Sequence, residues 1–388
     1  MNQNDNYKIV FLSNFMNHHQ LTLSKELYDL TDKKYLFVAT TPVPKERLTL
    51  GYHDMNSAHD FVLRAYESEE SYNLAKKYIT DADIVIYGGV SRELIKNRLR
   101  KNKLTLKYFE RIYKTEPKWY KMPYNLIKDF LGNTVHKNYY LLCAGAYVAD
   151  DYARTRTFLD KAYKWGYFPE VKEYENIDAL IDGKKKNSLL WAGRLIDWKH
   201  PEIPLGVAKK LKADGYDFEL NIIGSGALDY SCRYSIERLG LNDNVHMLGS
   251  MSPEAVREYM ENSEIFLFTS DRQEGWGAVL NESMNSACAV VADKNIGAVP
   301  YLLKDGENGY LYESEIDEIY ERVKFLLDNP DKRKEMGKNA YFTMKNEWNP
   351  KVAAQRLLIL AEELKNNKKC TLYENGPCSV AEVHKRKK

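Results

Sequence analysis

The sequence predicts an α/β protein built from two doubly wound parallel-sheet domains in tandem, and three observations carry that expectation. Short apolar runs alternate with longer helical stretches along the whole chain, as parallel strands and their crossover helices do. The 388 residues, 44% hydrophobic and 29% charged, suffice for two domains of ordinary size with real cores. Between the halves, Gly183 is followed by the polar run Lys184-Lys185-Lys186-Asn187, which reads as an exposed linker. The expected division is 1–183, 188–348 and a closing segment 349–388.

In the first half the strand candidates are residues 7–12, 35–39, 84–87 and 139–143. In the second they are 188–192, 218–223, 244–248, 264–268 and 289–292. Helix starts are marked by Ser252-Pro253 and Asn349-Pro350, an N-cap followed by proline at the first helical position. After the second of these, Ala353, Leu357, Leu360, Ala361 and Leu364 recur at helical spacing and predict a helix that packs by one face. Residues 368–388 are polar and basic and read as a loose tail.

The bulk properties exclude several classes. Lys and Arg total 57 against 55 Asp and Glu, so the average charge gives no reason to expect a nucleic-acid partner. The five cysteines are scattered and odd in number, which suits reduced thiols rather than a disulfide framework or a zinc site. The polar start at residues 1–6 does not look like a signal peptide. The apolar run 139–149 is too short to span a bilayer. A cytoplasmic protein is expected, on a membrane only peripherally.

In doubly wound folds ligands gather beyond the carboxyl ends of the strands, and the strongest chemistry lies there. Glu274-Gly275-Trp276-Gly277 follows the strand candidate 264–268, with Glu282 eight residues after Glu274. The two glycines permit a tight strand-to-helix turn, and a helix start suits a phosphate. If the segment is helical throughout, the two carboxylates stand about 12 Å apart. One would take sugar hydroxyls and the other ribose hydroxyls. A glycine turn before an ordinary surface helix is the plainer alternative. The second constellation is Gly193-Arg194-Leu195 with Lys199, after the strand candidate 188–192. Two cations at a strand end can bind one diphosphate and stabilise it as it leaves, or they are two solvated loop residues.

Together these segments resemble family 4 of the retaining glycosyltransferases, and Asn17-His18-His19-Gln20 resembles its subset of bacterial surface-polysaccharide transferases. Further similarity lies in Gly224-Ser225-Gly226 and Asp305-Gly306-Glu307-Asn308-Gly309, so that it covers roughly residues 188–311. The resemblance implies the GT-B fold, two Rossmann-like domains facing across a cleft, with the last helix crossing back to the first domain. It implies a sugar moved with retention from a nucleotide-sugar donor, a UDP-sugar, to a polysaccharide or lipid-linked oligosaccharide. Gly193, Arg194, Lys199, Gly224, Glu274, Gly275, Trp276, Gly277 and Glu282 would line the donor site. Arg194 and Lys199 would take the diphosphate, Glu282 the ribose and Glu274 the transferred sugar, the last with the two cations forming the catalytic set. No metal and no cofactor is implied.

The first domain matches less well. Asn17-His18-His19, between the first strand and helix, either contacts donor or acceptor or simply caps that helix. At Tyr87-Gly88-Gly89 no histidine stands where many family members have one near the sugar, so no acceptor-side catalytic group is assigned. Gly224-Ser225-Gly226 imitates a dinucleotide fingerprint, but Asp229 occupies the third glycine position. Asp81-Ala82-Asp83 spells a metal-binding triplet yet precedes a strand instead of ending one. Residues 92–136 interleave Arg98, Arg100, Lys101, Lys103, Lys107, Arg111, Lys114, Lys118 and Lys121 with aromatic side chains. This is a solvated helix pair or a contact with anionic membrane. A nucleotide-sugar epimerase on the same scaffold and a non-catalytic donor-binding subunit remain as alternative functions.

Overall fold

The computed structural model describes residues 7–45, 48, 53–115, 120, 122–313 and 315–383. Trp119, Lys118 and Lys121 of the basic run lie outside them. The chain forms two compact units, Met1–Glu170 with Asn349–Lys388, and Val171–Trp348.

The first unit holds a seven-stranded parallel sheet in the order β3-β2-β1-β4-β5-β6-β7. Its strands are β1 (Ile9–Ser13), β2 (Tyr35–Ala39), β3 (Val62–Arg64), β4 (Ile84–Tyr87), β5 (Thr105–Phe109), β6 (Tyr139–Ala144) and β7 (Ala162–Trp165). Every residue of β1, β2 and β4 is buried, as expected where helices cover both faces. The second unit holds six parallel strands in the order β10-β9-β8-β11-β12-β13. These are β8 (Lys185–Ala192), β9 (Glu219–Ile223), β10 (Val245–Gly249), β11 (Ser263–Phe268), β12 (Ala289–Asp293) and β13 (Tyr310–Tyr312). The strand order reverses between β8 and β11, the topological switch point of such a sheet.

Three readings of the sequence are corrected here. The units divide after Glu170 instead of near Gly183, because the intervening residues pack on the second unit. Lys172 N donates to Asn285 Oδ1 at 2.8 Å and its carbonyl accepts from Asn285 Nδ2 at 3.0 Å. The Tyr174 ring lies 5.8 Å from that of Tyr341, and Asp178 pairs with Lys338 at 2.7 Å. Nor is the basic run after Gly183 a solvated linker. Lys184 is buried, with Nζ donating to the carbonyls of Met260, Ser263 and Ser286 at 2.8–2.9 Å, and burial lowers its pKa. The run then enters β8 directly.

The third correction concerns the end of the chain. Residues 368–383 are not a loose tail. Cys378 N donates to Lys164 O, Lys164 N to Ser379 O and Ala381 N to Ala162 O, at 2.7–3.0 Å. They cover the outer edge of β7, which would otherwise present unpaired main-chain groups. Cys370 and Cys378 are each 1% exposed and hold this segment against the core. The helix Pro350–Lys365 belongs to the same unit and packs on the helix His18–Leu30. Its buried face includes Ala353, Leu357, Leu360, Ala361 and Leu364. Asn349 caps it, Oδ1 accepting from Val352 N at 2.8 Å.

Candidate functional site

In the second unit, the loops after β8 and β9 meet main chain to main chain. Gly193 N donates to Ile223 O and Leu195 N to Ser225 O, both at 3.0 Å. Gly224 has φ +140°, and a Cβ there would lie 1.8 Å from Gly193 O. A Cβ at Gly226 would lie 2.3 Å from Leu195 O. Only glycine tolerates either approach, so the Gly-Ser-Gly pattern exists to seat the loop that carries Arg194 and Lys199.

That loop places its two cations around one ring. The Arg194 guanidinium is 5.5 Å, and the Lys199 ammonium 4.8 Å, from the centroid of Trp198. Lys199 forms an ion pair with Glu274 Oε2, the two side chains 13% and 12% exposed. Ser270 Oγ donates to the same carboxylate oxygen at 3.1 Å. Thr269 Oγ1 accepts from Trp191 Nε1 at 2.9 Å and donates to the carbonyls of Lys199 and His200, at 2.9 and 3.1 Å. One hydroxyl at the end of β11 thus ties down the loop after β8. Arg194, Lys199 and Glu274 therefore converge at the switch point, and their formal charges sum to +1, a balance suited to a phosphate group.

The turn from Glu274 to Gly277 is equally constrained. Gly277 has φ +90°, and a Cβ there would stand 2.3 Å from the Phe268 ring. A Cβ at Gly297 would stand 1.7 Å from Gly275 O, and Gly297 N donates to Glu274 O at 3.2 Å. Trp276 is fully buried. Its indole donates to Asn281 Oδ1 at 2.9 Å and packs 5.9 Å from Trp348. Its side chain is a wedge under the loop, and its carbonyl accepts from Ala298 N at 3.3 Å.

The segment is not helical throughout, as the 12 Å estimate required. The helix begins at Val279 and ends at Asn285, so Glu282 lies in its first turn and Glu274 outside it. So short a helix has a weak dipole. Burial raises the pKa of Glu282 and the nearby Arg257 opposes this. Arg257 Nη1 donates to Glu282 O at 3.1 Å and Asn285 Oδ1 at 2.9 Å.

Asn17, His18 and His19 belong to the other unit. Asn17 is the N-cap of the helix His18–Leu30, and its N–H donates to Gln20 Oε1 at 3.4 Å. The His19 ring stacks on Tyr167, centroids 4.7 Å apart and planes 3° apart, with His18 3.9 Å from His19. Capping accounts for Asn17, and stacking fixes the His19 ring.

Sequence reasoning missed Trp198, Thr269, Arg257 and Gly297. Thr269, Arg257 and Gly297 act through partners distant in sequence, and the Trp198 ring through its loop neighbours Arg194 and Lys199. Gly297 alone carried a local sign, a lone glycine after a strand.

Residues 174–342 match the family model described as glycosyl transferases group 1. The chain is 30% identical over 153 residues to the alpha-D-kanosaminyltransferase of Streptomyces kanamyceticus, covering 39% of each chain. Over 166 residues it is 31% identical to a Campylobacter jejuni enzyme, the N-acetylgalactosamine-N,N'-diacetylbacillosaminyl-diphospho-undecaprenol 4-alpha-N-acetylgalactosaminyltransferase, covering 42% of this chain and 44% of that one. These alignments span less than half of the curated relatives. The fold extends further. The structure of Anabaena HepE in complex with UDP and glucose superposes with a TM-score of 0.63 at 16% identity, over 92% of this chain and 99% of that one. A glycosyltransferase from Rickettsia africae gives 0.67 at 15% identity, over 94% and 100%.

Proposed function

We propose that the chain, whose residues 174–342 match the glycosyl transferases group 1 model and whose fold is of the GT-B type, transfers a sugar, with retention, from a UDP-sugar to a glycan or lipid-linked acceptor. The observation that carries this reading is the convergence of Arg194, Lys199 and Glu274 about Trp198 at the switch point of the second sheet. The UDP bound to the Anabaena neighbour supports the choice of nucleotide, and the lipid-diphosphate in the Campylobacter relative's name supports the class of acceptor.

In this reading Lys199 and Arg194 take the donor diphosphate, and the incoming anion draws Lys199 away from Glu274. Glu274 is then released to accept from hydroxyls of the transferred sugar. Glu282, its carboxyl raised by burial, takes the ribose hydroxyls. As the bond from the anomeric carbon to the phosphate breaks, negative charge grows on the diphosphate, and the two cations stabilise it there more than in the ground state. The acceptor oxygen bonds the anomeric carbon from the same face, and its proton leaves with the phosphate. The cations do the work of a metal, so activity should survive EDTA. The reading also places the enzyme in the cytoplasm, meeting an anionic membrane peripherally through residues 92–136. Among the described residues no helix is long and apolar enough to cross a membrane.

A thermal-shift screen of nucleotide sugars identifies the donor, since a bound donor stabilises by mass action. Proton NMR of the first product from that donor then tests the chemistry. An anomeric signal of unchanged configuration is expected. An inverted signal overturns retention, and an epimer formed from donor alone replaces transfer by epimerisation.

A further inference from the structure

The basic stretch after β4 divides into parts with different employment. Arg98 is fully buried, with donors spent on the carbonyls of Ile79, Ala82, Asp83 and Leu104 and on Thr105 Oγ1. Arg111 lies 3.7 Å from Asp151, which is fully buried. These two serve the fold. Lys107 does not. It rises from β5, and its ammonium stands 4.7 Å from the Tyr152 ring, 5.3 Å from Phe109 and 5.9 Å from Phe158. Among the described residues the Lys107 ammonium forms neither a hydrogen bond nor an ion pair. Burial lowers its pKa to about 8, with Asp129 opposing and Arg92 and Lys128 adding to the fall.

Arg92 is the second cation of this cluster. Its Nη2 donates to His136 Nε2 at 3.0 Å, so His136 is neutral and carries its proton on Nδ1. Burial and the nearby Arg92 both lower the His136 pKa, which keeps it so. Arg92 Nη1 also comes within 2.5 Å of where a Cβ on Gly132 would stand. The absent side chain leaves room for the guanidinium beneath the helical segment 122–134.

The outer side of that segment is apolar and uncovered. Tyr124 is 67% exposed, Ile127 61%, Leu131 61% and Val135 53%, a spacing of three and four residues that puts them on one face. Large exposed apolar patches mark interaction surfaces. Lys128, exposed beside them, and the half-buried cations below give the patch the charge complement of an anionic bilayer rather than of an apolar protein groove.

We propose that segment 122–134 enters the surface of an anionic membrane by this face, and that Lys107 and Arg92 beneath it take one lipid phosphate monoester. The lipid site does not rest on the transferase reading. A phosphate monoester offers the cluster more charge and more acceptor oxygens than a diester does, so the site should tell the two apart.

Vesicle flotation tests this with phosphatidylcholine alone, with added phosphatidylserine and with added phosphatidic acid. Wild type should ignore the first and bind the phosphatidic acid vesicles roughly tenfold more tightly than the phosphatidylserine ones. Lys107→Met combined with Arg92→Met should abolish that preference while leaving binding to phosphatidylserine. Ile127→Asp with Leu131→Asp, both at exposed positions, should abolish binding to both. UDP affinity, read in the same samples, should stay constant and shows that the variants are folded. Equal binding to the two anionic lipids by wild type overturns the phosphate site. Undiminished binding by the aspartate variant overturns the insertion, as does apolar contact between copies in the absence of vesicles. A protein that discriminates lipids as expected but never binds UDP would instead defeat the donor-site reading alone.

Discussion

Arg98, under the first sheet, and Lys199, at a strand end of the second, are both cations largely withdrawn from water, and they are held in opposite ways. Arg98 gives its donors to four carbonyls and a hydroxyl. Lys199 has one carboxylate, Glu274, and the face of Trp198. A carbonyl cage is used up in folding and has nothing left for a ligand. A single ion pair beside an aromatic ring can be exchanged for a pairing with an incoming anion. Lys184 belongs with Arg98, and Arg194 with Lys199. Burial of a cation does not mark function; what remains of its hydrogen-bonding capacity does.

Substitutions at the two kinds should therefore part company. Arg98→Met should lower unfolding free energy by about 4 kcal/mol, because several buried carbonyls lose a donor together. Urea melts measure this, and UDP affinity of the folded fraction should not change. Lys199→Ala should do the reverse. It should reduce kcat/KM on the order of 10²-fold, as loss of a group that stabilises developing charge does, while moving the urea midpoint little. A stable Arg98→Met protein, or a Lys199→Ala protein that melts early with normal turnover, would break the distinction. Arg194 is exposed and contributes to one ring contact, so Arg194→Ala should weaken UDP binding by about tenfold in calorimetry.

The smallest expected effect is one of pH. His200 sits between Glu202, at 2.8 Å, and Asp271, at 3.4 Å. Burial disfavours its charged form, but these two carboxylates outweigh it and the pKa is raised. A raised pKa means that the folded state holds the proton more tightly, so the contribution is complete below the unfolded value of about 6.5 and fades as pH rises through the folded value. The stability difference between wild type and His200→Gln should shrink from pH 6 to pH 8. A difference that grows over that range would exclude His200 as a charged clasp on the Lys199 loop.

The contrast also explains what was legible in the sequence. Gly224, Gly226 and Gly277 could be read because their task is local: each opens a turn or permits a close approach, and glycine is nearly the only residue that can. They mark the loops proposed to hold the donor, with their charged residues alongside. Strands buried throughout, such as β1, β2, β4 and β12, could be read for the same reason, since they are plain apolar runs, whereas the short strands β3 and β7 could not. Lys184 and Arg98 looked like solvated charges because their partners come from distant segments, Met260 and Ser286 for one and Ile79 and Leu104 for the other. Residues 368–383 looked loose because the edge of β7 that they cover leaves no trace in their own composition. β5 was hidden in the basic run because Lys107 interrupts it.

The central claim is that the cations after β8 receive a diphosphate, and calorimetric titration of UDP and of uridine tests it most directly. Wild type should bind UDP at least tenfold more tightly than uridine, the excess being the charge-assisted contacts of Lys199 and Arg194. In the combined Arg194→Ala, Lys199→Ala variant that preference should vanish while uridine binding persists. A preference for UDP that survives intact in the double variant would contradict the assignment and move the phosphate site elsewhere.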